Sequence, residues 1–252
     1  MDSLPPIAAV AFDLDGTLVD SAPDIGSALN SALAQEGLRQ FDLVTVRAWI
    51  GDGPDVLIAQ ALAEQGMAGD KDLPQGATLH ARLRRAFDEA TLSAPLVAGQ
   101  VYPGIHDLLP GLQGWLPMVV VTNKPTLLAR AVLEAAGLLR WAAQVRGADT
   151  AMLRKPAPAM LLAAAQQLGV APQRLLMVGD SPADLLSAGA AGCPAALVAW
   201  GYGGHAVPGH LRPRHIATPL QLLGELLAAR TDAAPRSTSP GTQRGHDRIF
   251  NI

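Results

Sequence analysis

The sequence predicts an α/β fold, a doubly wound parallel sheet with a helical segment inserted between its first and second strands. Short apolar runs recur without polar alternation, as in strands buried on both faces. They alternate with helical segments that stop at glycine, the residue expected just past a helix C-terminus. From residue 19 to 98 this rhythm lapses, and only helices are legible.

Taken in order, Ile7-Ala8-Ala9-Val10-Ala11-Phe12 is the first strand and runs into Asp13-Leu14-Asp15-Gly16-Thr17. The insert reads as helices over 25–35, 43–50, 56–65 and 79–91. Turns at Gly37, Gly51-Asp52-Gly53 and Gly69-Asp70 separate them. Met118-Val119-Val120-Val121 is the second strand and leads into Thr122-Asn123-Lys124. A helix over 126–136 follows and stops at Gly137, and the weaker run Gln144-Val145-Arg146 reads as a further or edge strand. A helix over 159–168 stops at Gly169. Leu175-Leu176-Met177-Val178 then leads into Gly179-Asp180-Ser181. A helix over 184–191 stops at Gly192, and Ala195-Ala196-Leu197-Val198 leads into Ala199-Trp200-Gly201. Thr218-Pro219 opens a last helix to about Ala229, with proline at the first helical position. The expected division is a core of residues 1–18 and 99–230 and a helical unit of 19–98. The Pro-, Ser-, Thr- and Gly-rich tail, 231–252, is expected to be disordered.

At 49% hydrophobic and 16% charged, 252 residues suffice for a sizeable core and exclude global disorder. Only 4% are aromatic, so Ala, Leu and Val must build that core. A net charge of −3 carries no footprint for nucleic acid. No apolar run approaches the ~20 residues of a membrane span. Asp2 and Asp13 bracket a stretch too short for a signal core. The single Cys193 cannot form an internal disulfide and reads as a small buried hydrophobe. A cytoplasmic protein without nucleic-acid or membrane partners is expected.

Two carboxylates, Asp13 and Asp15, stand two residues apart at the end of a buried strand, where like charges repel. In sheets of this kind ligands bind beyond the carboxyl ends of the strands. Those ends carry Asp13 and Asp15, then Thr122 and Asn123, then Asp180, with Asp184 four residues on. Lys155 can join them, presented on a backbone stiffened by Pro156 and Pro158. Oxygen ligands without nearby His or Cys point to a hard cation such as Mg²⁺. Other readings stay open: Asp184 suits a helix N-cap, and Gly51 and Gly53 suit a plain turn. Arg82, Arg84 and Arg85 read as a solvated helix face, and His106 and His205 as structural or surface residues.

Four stretches, Asp13-Leu-Asp-Gly-Thr-Leu-Val-Asp20, Thr122-Asn123-Lys124, Lys155-Pro-Ala-Pro158 and Gly179-Asp-Ser-Pro-Ala-Asp184, resemble in order the motifs of the haloacid dehalogenase-like hydrolases. The resemblance runs from about residue 7 to 229. It implies a Rossmann-like core, a C1-type cap and phosphoryl transfer. Asp13 is then the nucleophile. Asp15 is the general acid and later the base. Thr122 and the Asn123 amide hold phosphoryl oxygens, and Lys155 neutralises charge. Asp180 binds Mg²⁺ with the Asp13 carboxylate and the Asp15 carbonyl, and Asp184 binds it or orients a bound water. With Asp15 protonated, three carboxylates and one ammonium leave two negative charges. A phosphate dianion ~3.5 Å from Asp13 alone is repelled by roughly 9 kcal/mol at an effective dielectric of ~20. One Mg²⁺ cancels the excess.

Asp20-Ser21-Ala-Pro23-Asp24, Trp49-Ile-Gly51-Asp-Gly53 and Trp200-Gly-Tyr-Gly203 further resemble stretches of the family's phosphoglycolate phosphatases. That implies a small phosphorylated metabolite as partner, met by Lys124, Gly51 and Gly53, on a monomer or homodimer. The alternatives are a phosphatase for another sugar phosphate or diphosphate, a beta-phosphoglucomutase-like isomerase, and a non-catalytic binding protein.

Overall fold

A computed structural model describes residues 5–67, 78–203, 207 and 213–232. Its strands are β1 (Ala9–Phe12), β2 (Val19–Asp20), β3 (Gln100–Val101), β4 (Met118–Thr122), β5 (Gln144–Gly147), β6 (Leu175–Gly179), β7 (Ala195–Val198) and β8 (Arg214–Ile216). Six of them form a parallel sheet in the order β5-β4-β1-β6-β7-β8. The chain builds outward from β1 through β4 to β5, then crosses over and builds the other way from β6. The reversal falls between β1 and β6, in register from Ala9 opposite Leu175 to Phe12 opposite Val178. Such a switch point opens a crevice at the carboxyl ends of the strands. Asp13 and Asp180 flank it.

The unbroken apolar runs are explained by helices on both faces. Successive side chains point to opposite sides of a strand. Val10, Phe12, Val120, Leu176 and Val178 share one cluster with α5 (Ile105–Leu112), α6 (Thr126–Ala135) and α9 (Pro219–Asp232). Ala9, Ala11, Val119, Val121 and Met177 share another with α7 (Ala159–Leu168) and α8 (Pro182–Ala191).

The helices α1 (Ala22–Gln35), α2 (Leu43–Trp49), α3 (Pro54–Ala63) and α4 (Leu79–Ser93) pack around a cluster of their own. Leu29, Leu33, Ile58, Leu83 and Phe87 lie at its centre, and Leu128 of α6 joins it from the sheet side. Capping starts two of these helices: Asp42 accepts from the Thr45 amide, and Thr78 from the Ala81 amide. The antiparallel pair β2–β3 lies where the chain leaves the sheet layer and returns to it.

Several elements differ from the sequence expectation. The insert is bounded by β2 and β3, whose two residues each are too few to show a period. The run at Gln144, by contrast, meets the expectation of an edge strand, since β5 lies at the end of the sheet. The opposite edge, β8, carries Arg214 and His215 and has no apolar run to mark it. Helix α5 holds Pro110 in its interior, which hides the helix from a pattern reading. Helix α9 continues through Asp232, two residues into the stretch read as tail. The remainder of that tail, the turn at Gly69-Asp70 and His205 lie outside the described residues. Among the described residues no helix is long and apolar enough to cross a membrane.

Candidate active site

Asp13 follows β1 directly. Its amide donates to the Val178 carbonyl of the neighbouring strand at 2.9 Å, so the first strand pairing extends to the carboxylate itself. Its Oδ1 accepts from the Leu14 amide at 2.7 Å and lies 3.0 Å from Lys155 Nζ. Lys155 is 1% exposed and also meets Asp184 Oδ1 at 2.6 Å and the Val121 carbonyl at 3.1 Å. Burial alone would drive such an ammonium toward neutrality. Asp13 and Asp184 outweigh it and raise the Lys155 pKa, so the charge stays.

Asp184 stands at the third position of α8, not at its N-cap. Ser181 is the N-cap, and the two form a capping box. Ser181 donates to Asp184 Oδ2 through its hydroxyl at 2.7 Å and its amide at 3.1 Å. Asp180 Oδ2 accepts from the Tyr202 amide at 2.6 Å and the Gly203 amide at 3.2 Å, and Oδ1 from the Thr17 hydroxyl at 3.3 Å.

Asp13, Asp180 and Asp184 each offer an oxygen, and these lie within 4.8 Å of one another. All three are buried, and the one ammonium beside them, Lys155, contacts only Asp13 and Asp184. Burial pushes Asp13 up to about 7, with Lys155 opposing and the other carboxylates adding to it. Burial likewise lifts Asp180 to about 6. Three hard oxygens crowded in a low dielectric, with positive charge in deficit, fit a divalent cation.

In front of this cluster lies a cavity of ≈ 40 Å³. Asp13, Asp15, Thr122, Asn123 and Lys124 form its floor. Ile25, Trp49, Ile50, Leu57 and Phe87 of the inserted helices form its roof, with Gly51 and Gly53 at the edge. Lys155, Asp180 and Asp184 lie behind Asp13, outside the cavity lining.

Asp15 is held from two sides. The Ser21 hydroxyl donates to its Oδ1, and Lys124 Nζ meets Oδ1 at 3.0 Å and Oδ2 at 2.9 Å. Asn123 fastens the roof to the floor. Its Nδ2 donates to the Gly51 carbonyl at 2.9 Å and the Lys155 carbonyl at 3.2 Å, while its Oδ1 accepts from the Lys155 amide at 2.7 Å. Its side chain is thus used up, which leaves the backbone amide for a ligand. At Gly53, φ is +83°, and a Cβ there would lie 2.8 Å from the Asn123 carbonyl oxygen. Only glycine allows both that conformation and that approach.

Every candidate site residue therefore falls into one of two adjoining groups, the acidic cluster with Lys155 or the cavity lining. Arg82, Arg84 and Arg85 pair instead with Glu36, with Asp55 and Asp88, and with Glu89, and none lines the cavity. Thr17, Ser21, Trp49 and Tyr202 have positions here that sequence reasoning did not assign. All four lie in the stretches that carry the resemblance, which is the signal that could have marked them.

A family model described as haloacid dehalogenase-like hydrolase matches residues 7–192. The chain belongs to the haloacid dehalogenase-like hydrolases. Among relatives in this family, the phosphoglycolate phosphatase of Rhodospirillum rubrum is 44% identical over 195 residues, covering 77% of this chain and 80% of that protein. The phosphoglycolate phosphatase of Escherichia coli K12 is 39% identical over 215 residues, covering 80% and 85%. A crystal structure of a predicted phosphoglycolate phosphatase from Haemophilus somnus superposes with a TM-score of 0.78 at 30% identity. It covers 88% of this chain and 99% of that one.

Proposed function

We infer that this hydrolase cleaves small phosphoric monoesters through Asp13, and that 2-phosphoglycolate is its best substrate. The carrying observation is the position of Asp13. It touches Lys155 and the acidic cluster on one side and the cavity shared with Asp15 on the other. The names of the 39–44% identical relatives support the substrate.

In this reading the Asp13 carboxylate attacks phosphorus, and the ester oxygen leaves with the proton of Asp15. The phosphoryl group then resides on Asp13. Asp15 takes a proton from water, which attacks phosphorus and frees phosphate and Asp13. The Thr122 hydroxyl and the Asn123 amide donate to the phosphoryl oxygens. The Lys155 ammonium offsets their charge in a site where water does not screen it. Asp13, Asp180, the Asp15 carbonyl and Asp184, the last directly or through water, would hold Mg²⁺, the small hard cation suited to carboxylates and phosphate together. When bound it supplies the positive charge that the three carboxylates and a phosphate dianion lack. We assign residues 19–98 the part of a cap whose apolar roof excludes water during turnover. The buried thiol of Cys193 fits a reducing cytoplasm.

Phosphate release across a panel of monoesters tests this reading. The kcat/KM for 2-phosphoglycolate should exceed that for hexose phosphates at least tenfold, and excess chelator should abolish turnover. A hexose phosphate ranking first, or full activity in chelator, would overturn it.

A further inference from the structure

The roof of the cavity carries no charge: Ile25, Trp49, Ile50, Leu57 and Phe87 are all apolar. Among the described lining residues Lys124 is the one cation. It is only 5% exposed, so its charge is spent inside the molecule. Burial of an ammonium is costly without partners. Asp15 supplies two contacts, at 3.0 and 2.9 Å, but an ammonium has three N–H groups. Among the described residues no further acceptor for Lys124 Nζ is seen. Lys155 cannot serve the same face, since Asp13, Asp184 and the Val121 carbonyl surround it behind the floor.

We propose that Lys124 is the specificity-determining residue of this site and binds an anionic group, a carboxylate, on the leaving alcohol. The proposal rests on the phosphatase reading above. Asp15 marks the side of the site where the ester oxygen departs. In 2-phosphoglycolate one methylene separates that oxygen from the carboxylate. A group in contact with Asp15 is thus within reach of the carboxylate. The remaining N–H of Lys124 meets it in a charge-assisted hydrogen bond, under a roof that keeps water from competing. A neutral alcohol of the same size forgoes that bond and leaves Lys124 with Asp15 alone. The site then discriminates by charge on the leaving group, while the apolar roof limits its size.

The test compares 2-phosphoglycolate with 2-hydroxyethyl phosphate, its neutral analogue of similar size, on wild type, Lys124→Met and Lys124→Arg. Circular dichroism and melting curves confirm folding. Wild type should favour the acid in kcat/KM by about 10- to 100-fold, the span of a buried charge-assisted bond. Lys124→Met should bring the ratio to about one, mainly through KM for the acid. Lys124→Arg should retain most of it. An equal loss on both esters would make Lys124 a positioning residue for Asp15 and overturn the proposal. So would a wild-type ratio near one. If wild type releases phosphate from neither ester, the phosphatase reading falls, and the proposal with it.

Discussion

Lys155 Nζ lies 2.6 Å from Asp184 Oδ1, and both side chains are almost completely buried. The pair joins the loop carrying Lys155 to the first turn of α8, and Asp13 completes it from β1. One ammonium thereby holds together segments far apart in the chain. Removing it leaves three crowded carboxylates with hydrogen-bond donors but no cation in contact. Breaking a buried ion pair on one side costs about 3 kcal/mol or more. Lys155→Met is expected to lose about that much stability in urea titrations in chelator. A divalent cation should recover part of the loss. Turnover should not recover, because the charge facing the phosphoryl group is gone. A variant as stable as wild type would contradict this role.

Stability should also depend on pH in a way opposite to ordinary surface carboxylates. Asp13 is pushed up to about 7 and Asp180 to about 6, burial being the main cause in both. The folded chain therefore holds protons that the unfolded chain has released above about 3.8. Their contribution is fully present below about pH 3.8 and is lost as pH rises through 6 and then 7. In chelator, the melting temperature of wild type relative to Asp180→Asn should fall as pH rises from about 5 to about 8. A saturating divalent cation should flatten the difference. A wild type that gains on Asp180→Asn over that range in chelator would refute the assignment.

Gly201 is required by space. A Cβ there would lie 2.2 Å from the Asp180 Cβ. Gly201→Ala must displace Asp180 from the Tyr202 and Gly203 amides that orient it. Loss of such orienting contacts typically weakens a metal site 10- to 100-fold. Calorimetric titration with Mg²⁺ should show a drop of that order. Unchanged affinity would mean that Asp180 does not hold the cation.

The contact between Asn123 and Gly51 ties the roof to the floor. In Asn123→Asp a carboxylate oxygen faces the Gly51 and Lys155 carbonyls, which the amide group now serves. The substitution should repel the Gly51–Gly53 turn and raise KM at least tenfold. The cost in stability should be about 1–3 kcal/mol, that of a buried polar group left unpaired. An unchanged KM would show that the turn closes without this bond.

Much of this fold is legible because its central strands are unbroken apolar runs flanked by glycine-stopped helices. Val119, Val120 and Val121 need burial on two faces, and only a sheet covered on both sides provides it. What escaped reading has no such pattern. Two-residue β2 and β3 show no period, and Pro110 masks α5. In the site, motif residues could be named one by one, but their pairings could not. Lys124 meets Asp15 across 109 positions, and the Tyr202 amide meets Asp180 across 22. No local propensity encodes such contacts; the sheet order brings them together. Asp184 suits an N-cap by residue type, yet Ser181 takes that place, which aims Asp184 at Lys155.

In the proposed mechanism Asp13 takes the phosphoryl group. Asp13→Asn keeps the size of the side chain and removes its nucleophilic charge. Steady-state phosphate release from 2-phosphoglycolate in saturating Mg²⁺ is the direct measurement. We expect a loss of at least a thousandfold in kcat with the fold retained by circular dichroism, and a loss below tenfold would show that another group takes the phosphoryl group.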